Sequence, residues 1–186
     1  IPSTVPSVGW GYVHEDGSLD YWDDPWWGGS IFLLADKLYL YTGDAGVLES
    51  AFPSLKAYVD FLSSTAEDHI ISWSLGDWLD LNPDPNSQAS NLTPVAQTST
   101  AGYYWMSRKL ADYAQILGYD KRLSEHYREL ADSIKDKFNR EFLDYETGIY
   151  AENSQTAQAL PLALGLVPDE MKEKVRQRLL DAIDMR

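Results

Sequence analysis

Apolar residues recur at helical spacing along most of the chain, and they predict six helices of two alternating kinds. Helices of the first kind are apolar on most faces and are expected to be buried on most faces; they cover residues 31–41, 98–117 and 154–164. Helices of the second kind carry one narrow apolar stripe on a polar surface; they cover residues 45–64, 121–142 and 168–186. The alternation predicts an inner layer of buried helices and an outer layer that faces water.

Each inner helix is joined to the outer helix that follows it by a short turn that contains glycine. The three turn glycines are Gly43, Gly118 and Gly165. Glycine adopts the left-handed backbone conformation at little cost, and for this reason it commonly ends a helix. The chain is therefore predicted to be all-α and to form three helical hairpins, near residues 30–64, 98–142 and 154–186.

Local signals refine the ends of these helices. Ser30 and Asp44 have side chains that can cap the first and second helices. Asn153 or Ser154 can cap the fifth in the same way. Pro168 suits the first turn of the sixth helix.

Proline lies inside two of the predicted helices, at Pro53 and Pro161. Because proline has no backbone N–H, we expect a kink or a restart at the first and a kink at the second. Residues 1–29 are predicted to form an irregular aromatic loop with one short strand. A second short strand is predicted at residues 70–73, inside the long loop at 66–93.

Longer loops connect one hairpin to the next, and each leads into the start of an inner helix. Since the short turns lie at the other end of the hairpins, the loops around Trp27, Trp78 and Glu152 are expected to meet on one face. A loop as long as residues 66–93 is uncommon in a compact domain unless it has a function or is disordered. Sites are often built from loops on one face of a rigid scaffold, so this face is the candidate site.

Two of these loops place tryptophan beside carboxylates. One loop contains Asp23, Asp24 and Trp27, and the other contains Asp77 and Trp78. An indole face can cover the C–H face of a sugar ring, and a carboxylate accepts hydrogen bonds from sugar hydroxyls. This pattern favours a carbohydrate-binding site. The alternative is that the tryptophans are core residues that close the hairpins, since tryptophan is mostly buried in proteins.

Charge and composition disfavour several classes of partner. The net charge of −14 argues against binding to nucleic acid or to an anionic membrane surface. There is no cysteine, so disulfides and cysteine-metal sites are excluded. The three histidines lack metal-ligand spacing, no apolar run is long enough to span a membrane, and no signal peptide is visible. We predict no cofactor, and the sequence leaves the cellular compartment open. The cluster Asp84–Asn91 could hold calcium by composition, but a plain polar loop is the favoured interpretation.

Several short motifs, in their order along the chain, resemble the catalytic domain of bacterial α-L-rhamnosidases, glycoside hydrolases with an (α/α)6 barrel of six hairpins. The motifs are Pro25-Trp26-Trp27-Gly28-Gly29, Tyr41-Thr42-Gly43-Asp44, Gly76-Asp77-Trp78-Leu79, Thr100-Ala101-Gly102-Tyr103-Tyr104, Phe138-Asn139-Arg140-Glu141-Phe142-Leu143 and Ser154-Gln155-Thr156-Ala157-Gln158-Ala159-Leu160. The resemblance implies that the three hairpins form about half of an (α/α)6 toroid. It also implies that Trp27 and Trp78 line a rhamnose pocket and that Asp77 bonds a hydroxyl or orients a neighbouring group. Asp24 is a further candidate for substrate binding.

The same resemblance implies an inverting hydrolase, whose two catalytic carboxyls lie roughly 6.5–9.5 Å apart. In the family the general acid lies in an acidic, arginine-containing motif upstream of the first tryptophan loop. The general base is a glutamate after a tryptophan, downstream of the sixth helix. Neither motif is present here, and Gly29 stands where the family often has an acidic residue. We therefore expect a fragment of an enzyme that releases terminal α-L-rhamnose, without catalytic residues, inactive alone and prone to self-association through exposed inner helices.

Two other functions fit the same sequence. A six-hairpin glycosidase for another sugar would share the fold and the tryptophan loops. A non-catalytic helical-repeat interaction module would share the hairpins, and its long loops would simply vary. A terpene-cyclase-like barrel is disfavoured, because Asp23 and Asp24 precede Pro25 in a loop and do not lie on a helix that could bind magnesium and diphosphate.

Overall fold

The structure is a computed structural model that describes residues 10–13, 19–22, 24–78 and 90–184. Over these ranges the chain is mainly helical, which confirms the predicted all-α class. The helices are α1 (Pro25–Gly28), α2 (Ser30–Thr42), α3 (Ala45–Thr65), α4 (Val95–Ile116), α5 (Lys121–Phe142), α6 (Gln155–Leu164) and α7 (Lys172–Asp184). A 3₁₀ turn, Asp169–Met171, leads into α7 and takes the place of the first turn predicted for the sixth helix.

The helices pack in the order that the hairpins predict: α2 against α3, α4 against α5, and α6 against α7. Helix α4 connects the pairs, because it also contacts α1, α3 and α6. Fourteen of its 22 residues are buried, and they include residues on every face of the helix. The hydrophobic core of the described chain is therefore organised around α4, as expected for an inner helix.

Helix α2 differs from its prediction. Its apolar pattern predicted burial on most faces, yet only Phe32 and Ala35 are buried. The exposed residues share one side of the helix and its C-terminal end; they are Leu33, Leu34, Leu38, Leu40 and Tyr41. Within the described residues, α2 packs on α3, and its Phe32 and Asp36 contact α4, while the leucines on its other side stay exposed. An apolar pattern shows that a helix can be buried, but it does not supply the neighbour that buries it.

Most of the predicted helix ends are confirmed. Gly43 and Gly165 end α2 and α6 with φ of +69° and +79°, in the left-handed region that favours glycine. Asp44 caps α3 by accepting the Gly46 backbone N–H at 2.8 Å, and Ser154, rather than Asn153, caps α6. The cap predicted at Ser30 is wrong, because the preceding turn of α1 runs straight into α2 and leaves Gly29 in the cap position.

The two internal prolines interrupt neither helix. Helix α3 continues from Ala45 to Thr65 across Pro53, so the restart predicted there is not observed. Helix α6 likewise continues across Pro161. The loss of a single backbone donor at each site is therefore tolerated within the packed hairpins.

A short antiparallel hairpin precedes the helices. It consists of β1 (Trp10–Val13) and β2 (Leu19–Trp22), with Trp10 opposite Trp22 in the register. The sequence predicted one short strand in this region, so the second strand was missed. Its pairing depends on a partner that local pattern does not reveal.

Two loop predictions need correction. The loop after α5 contains a two-residue antiparallel pair, β3 (Leu143–Asp144) and β4 (Ile149–Tyr150), where the sequence predicted only a connecting loop. The strand predicted at residues 70–73 does not form; an isolated bridge joins Glu67 to Ile70 instead. That segment is held by side-chain hydrogen bonds from α4, described below, and therefore needs no strand partner.

Two buried amides from the sequence motifs fasten the last hairpin to the rest. Asn139 Nδ2 donates to the Leu166 carbonyl oxygen at 2.9 Å. Gln158 Nε2 donates to the Tyr150 carbonyl oxygen at 3.2 Å and to Asn153 Oδ1 at 3.0 Å. Buried polar groups are almost always hydrogen-bonded, and here these bonds set the path of the loop between α5 and α6.

A partly buried ion pair joins α2 to α4. Lys109 Nζ lies 2.6 Å from Asp36 Oδ1, and the Tyr113 hydroxyl donates to the same oxygen at 3.0 Å. Burial alone would raise the pKa of Asp36, but the hydrogen bonds from Lys109 and Tyr113 outweigh it and lower that pKa below its ordinary value of 3.8. Burial and the adjacent Asp36 charge raise the pKa of Tyr113, which stays a donor at neutral pH.

We predict that Asp36→Asn lowers the free energy of unfolding by about 2 kcal/mol at pH 7, since it removes a charge-assisted bond and leaves Lys109 unpaired. Because folding lowers the pKa of Asp36, its stabilisation is complete above the unfolded value and is lost as pH falls through the folded value. The difference between variant and wild type in urea denaturation should therefore shrink below about pH 4. Asp136→Asn, at an exposed position on α5, is the control. A difference that does not change with pH would contradict this account.

Candidate functional site

The loop before α1 is built around the carboxylate of Asp24, whose side chain is buried. Asp24 Oδ1 accepts the backbone N–H groups of Trp26 at 2.8 Å and Trp27 at 3.0 Å, as an N-cap residue does. Asp24 Oδ2 accepts the backbone N–H of Leu75 at 3.1 Å. Leu75 lies 51 residues further along the chain, in the loop that carries Trp78. One carboxylate therefore binds both tryptophan loops.

Trp26 and Trp27 are neighbours in sequence but have different environments. Trp26 packs inward: its ring stacks on Trp105 at a centroid distance of 6.0 Å, and its Nε1 donates to the Thr98 carbonyl oxygen at 2.9 Å. Gly102 gives it room, since a Cβ there would lie 3.1 Å from the Trp26 ring. Trp27 is 50% exposed. The interpretation as a packing residue thus holds for Trp26, which is partly buried against α4, and does not hold for Trp27.

Trp27 and Trp78 form an exposed aromatic pair. Their ring centroids are 6.4 Å apart and the rings meet edge to face, at 68°. Trp78 is 37% exposed, so both indoles keep surface available to a ligand. The structure brings together two of the loops that were expected to share a face.

The tight turn of α1 explains why glycine occupies positions 28 and 29. A Cβ at Gly28 would lie 2.1 Å from the Tyr58 hydroxyl, and one at Gly29 would lie 2.5 Å from the Pro25 carbonyl oxygen. A Cβ at Gly29 would also lie 2.7 Å from Met106 Sδ on α4. The acidic residue that the resemblance placed at this point therefore does not fit the backbone of this chain.

A chain of hydroxyls links Asp77 to the start of α6. The Thr93 hydroxyl donates to Asp77 Oδ2 at 3.3 Å and lies 2.6 Å from Ser154 Oγ. Ser154 Oγ accepts the Ala157 backbone N–H at 3.0 Å. Because an ionised carboxylate only accepts, the Thr93 proton is directed to Asp77 and the Ser154 proton to Thr93. The hydroxyls of Thr93 and Ser154, called the relay below, thus bring the loop before α6 to the site.

An open cleft of about 610 Å³ adjoins this relay. It is lined by Ser90, Asn91, Leu92, Thr93, Pro94, Glu152, Asn153 and Ser154. Glu152 is exposed at the cleft, and its neighbours Ala151 and Asn153 have φ of 43° and 61°. Non-glycine residues in this left-handed region are strained, and such strain often occurs at functional sites. The size of the cleft lies within the range of small-molecule sites.

Polar side chains of α4, which the hydrophobic pattern did not indicate, form hydrogen bonds to the loop that carries Trp78. Ser99 Oγ lies 2.6 Å from Ser74 Oγ, and Ser74 Oγ accepts the Gly76 backbone N–H at 2.9 Å. Thr100 Oγ1 accepts the Ile71 backbone N–H at 3.0 Å. The signal that could have revealed this contact is the run of four polar residues, 97–100, at the start of an otherwise apolar helix, all of which are buried.

The remaining sequence predictions concern metals, membranes and residues outside the described ranges. Asp23 lies outside the described residues, as does most of the cluster Asp84–Asn91. Among the residues that the structure describes, no three His, Cys, Asp or Glu side chains are grouped so that they could hold a metal ion. No helix of the described chain is long and apolar enough to cross a membrane.

The stacked hairpins, with their long loops gathered at one site, place the chain in the class of α/α-hairpin domains. The sequence model of the bacterial alpha-L-rhamnosidase 6 hairpin glycosidase domain matches residues 1–186, so the chain belongs to this family. Three hairpins of a six-hairpin domain correspond to about half of an (α/α)6 toroid, as predicted.

Named relatives agree with this assignment. An alpha-L-rhamnosidase of Formosa agariphila is 30% identical over 98% of this chain. The alpha-L-rhamnosidase structure from Dictyoglumus thermophilum is 36% identical over 88% of this chain, with a TM-score of 0.76 and 18% of its own length covered. The Streptomyces avermitilis alpha-L-rhamnosidase complexed with L-rhamnose is 25% identical over 84% of this chain, with a TM-score of 0.74 and 14% of its own length covered. The chain spans about 19% of the length of the curated relatives it matches.

We predict that Thr93→Val lowers the free energy of unfolding by about 1–2 kcal/mol, because it removes the buried hydroxyl that joins the partly buried side chains of Asp77 and Ser154. Thr42→Val is the control, since the Thr42 hydroxyl is exposed and bonds only to nearby backbone. Its cost should stay within about 0.5 kcal/mol. Urea denaturation followed by far-ultraviolet circular dichroism measures both, and equal costs would refute a special role for Thr93.

Proposed function

We propose that this chain supplies sugar-contacting residues of a glycoside hydrolase that releases terminal α-L-rhamnose from glycans or glycosides. The observation that carries the proposal is the exposed Trp27–Trp78 pair, held beside Asp77 in a chain of this family. The indoles offer flat apolar surface to the C–H face of a sugar, and Asp77 offers a carboxylate to its hydroxyls. A rhamnose complex of the Streptomyces avermitilis relative supports the choice of sugar.

The four candidate residues have unequal access to a sugar. Trp27 and Trp78 are exposed, and Asp77 is partly exposed beside them. Asp24 is 3% exposed and both of its oxygens accept backbone N–H groups. We therefore assign substrate contact to the first three and an indirect role to Asp24. Glu152 is exposed at the cleft, and we propose that it contacts the part of the substrate beyond the rhamnose.

The chemical step requires a pair of carboxyls roughly 6.5–9.5 Å apart. The motifs that carry this pair in the family are absent from these 186 residues. Our proposal therefore assigns both catalytic groups to other parts of the full-length protein, and the chain by itself to binding. The chemistry proposed uses no cofactor.

Two alternatives remain, and substrate tests separate them. A six-hairpin glycosidase for another sugar would cleave a different glycoside while it used the same tryptophan pair. A non-catalytic interaction module would cleave none. The 36% identity to the Dictyoglumus thermophilum alpha-L-rhamnosidase structure favours the rhamnoside.

We predict that the full-length gene product hydrolyses an aryl α-L-rhamnoside in preference to other aryl glycosides. Trp78→Ala and Asp77→Asn should each lower kcat/KM by about tenfold or more, because each removes a contact to the sugar. Tyr119→Ala is the matched control: Tyr119 is an exposed aromatic that packs on Phe52 beside the Gly118 turn, at the other end of the hairpins. It should leave kcat/KM unchanged.

The isolated 186 residues provide the second arm of this experiment. L-Rhamnose should quench their tryptophan fluorescence in a saturable way, while the aryl rhamnoside stays intact. Turnover by the isolated chain would overturn the assignment of the catalytic pair. Cleavage of another glycoside by the full-length protein would overturn the choice of sugar.

We also propose that the isolated chain self-associates through the exposed apolar side of α2. Leu34 and Leu40, both more than half exposed, lie on this side, and a contiguous apolar surface of this kind usually marks an interface. In the full-length protein, further hairpins of the six-hairpin domain would cover it.

We predict that Leu34→Lys shifts the isolated chain toward monomer in sedimentation velocity, since a charge in this surface must be desolvated on association. Leu180→Lys, at a 40% exposed position on α7, is the matched control and should not change the distribution. A wild-type chain that is monomeric at all concentrations tested would rule out this surface as a self-association site.

A further inference from the structure

We propose that Asp24 is a positioning residue, which holds the Trp27 and Trp78 indoles in their edge-to-face arrangement without touching the sugar. The ligand-binding part of this inference rests on the proposed function, while its geometric part does not. In this role Asp24 does not bind the sugar directly; it holds in place the two tryptophans that form the sugar-binding surface.

Asp24 holds the first turn of α1, which carries Trp27. Asp24 Oδ1 accepts the Trp26 and Trp27 backbone N–H groups, so it fixes the first turn of α1. The rest of Asp24 is fixed as well, since its carbonyl oxygen accepts the Gly28 N–H at 2.8 Å and the Tyr58 hydroxyl at 3.3 Å. A helix of only four residues has little stability of its own and depends on such bonds.

Asp24 also holds the loop that carries Trp78. Asp24 Oδ2 accepts the Leu75 N–H, three residues before Trp78. On the other side of this loop, Ser74 is held by Ser99 of α4. The Trp78 loop is thus pinned between α4 and Asp24, and the Asp24 carboxylate is a direct link from it to the first turn of α1.

A carboxylate is needed at position 24 because both of its oxygens accept hydrogen bonds. Among the described residues, its two oxygens together accept three N–H donors from two segments. Asparagine has one acceptor oxygen, and its amide N–H₂ would face the donors of the other segment. Asp24→Asn therefore keeps the size of the side chain but must give up the bond to one of the two loops.

The loss of an Asp24 hydrogen bond is expected to change the position of one indole relative to the other. An edge-to-face aromatic pair depends on its mutual geometry, and here the two rings belong to separate segments that the Asp24–Leu75 hydrogen bond joins. If one loop is released, the pair no longer forms one surface for the sugar. Sugar affinity should then fall although neither indole has been changed.

The test compares Asp24→Asn with Asp44→Asn in the full-length protein. Asp44 is the matched control because it also caps a helix through one oxygen, but it is exposed and bonds a single local segment. It lies at the far end of α2, a 13-residue helix about 20 Å long, from Trp27. Near-ultraviolet circular dichroism reports the Trp27–Trp78 contact, whose contribution is defined by the difference between wild type and Trp78→Phe.

We expect Asp24→Asn to lose most of that difference signal and to raise the KM for an aryl α-L-rhamnoside by about tenfold, the equivalent of one charge-assisted hydrogen bond, with a much smaller change in kcat. Asp44→Asn should change neither. Wild-type circular dichroism in Asp24→Asn, or the same loss in Asp44→Asn, would overturn the proposal.

A second variant keeps the test decisive if Asp24→Asn does not fold. An amide-to-ester replacement at Leu75 deletes only the N–H that Asp24 Oδ2 accepts and leaves the cap of α1 intact. It should reproduce the loss of the Trp27–Trp78 signal, and an unchanged signal would refute the coupling. If the wild-type protein binds no rhamnoside, the proposed function fails, but the circular dichroism comparison still decides whether Asp24 positions the pair.

Discussion

The burial of α4 is the constraint on which the rest of this structure depends. Buried side-chain hydroxyls are usually hydrogen-bonded, and Ser99 and Thr100 of this helix bond to the segments that pack against them. Those segments are parts of the loop that leads to Trp78. The same helix provides Trp105, on which Trp26 stacks, and this contact leaves Trp27 to face outward. The core therefore arranges the candidate site before any ligand is present.

Two sets of hydrogen bonds then connect the three loops. The Asp24 carboxylate joins the first loop to the second, and the hydroxyls of Thr93 and Ser154 join the second to the third. Both links use short polar side chains that are wholly or largely shielded from solvent, where a hydrogen bond is less exposed to competition from water. The result is an aromatic surface and a polar cleft in fixed relation, as required for recognition of a sugar with one apolar face and several hydroxyls.

Helices α2 and α4 show how the same kind of sequence can have different outcomes. Both are apolar on most faces, yet α4 is buried and α2 has a row of exposed leucines. Helix α4 has neighbours on all sides within the described chain, whereas α2 has them on one. In a six-hairpin domain every inner helix lies between two others, and the chain spans about 19% of the length of its relatives. The exposed side of α2 is thus the natural place for further hairpins.

The sequence by itself determined the six longer helices, their pairing and the turn glycines, because these follow from the spacing of apolar residues and from local backbone preferences. It also indicated Trp27, Asp77 and Trp78 as a group, through the position of their loops. It missed the four-residue helix α1, which lies in the predicted aromatic loop. Only the tertiary structure decided that Trp26 packs against α4, that the oxygens of Asp24 accept backbone N–H groups, and that no strand forms at residues 70–73. Each of these depends on a partner at least 25 residues away. Local sequence does not specify which distant groups will meet, since that is set by how the hairpins pack.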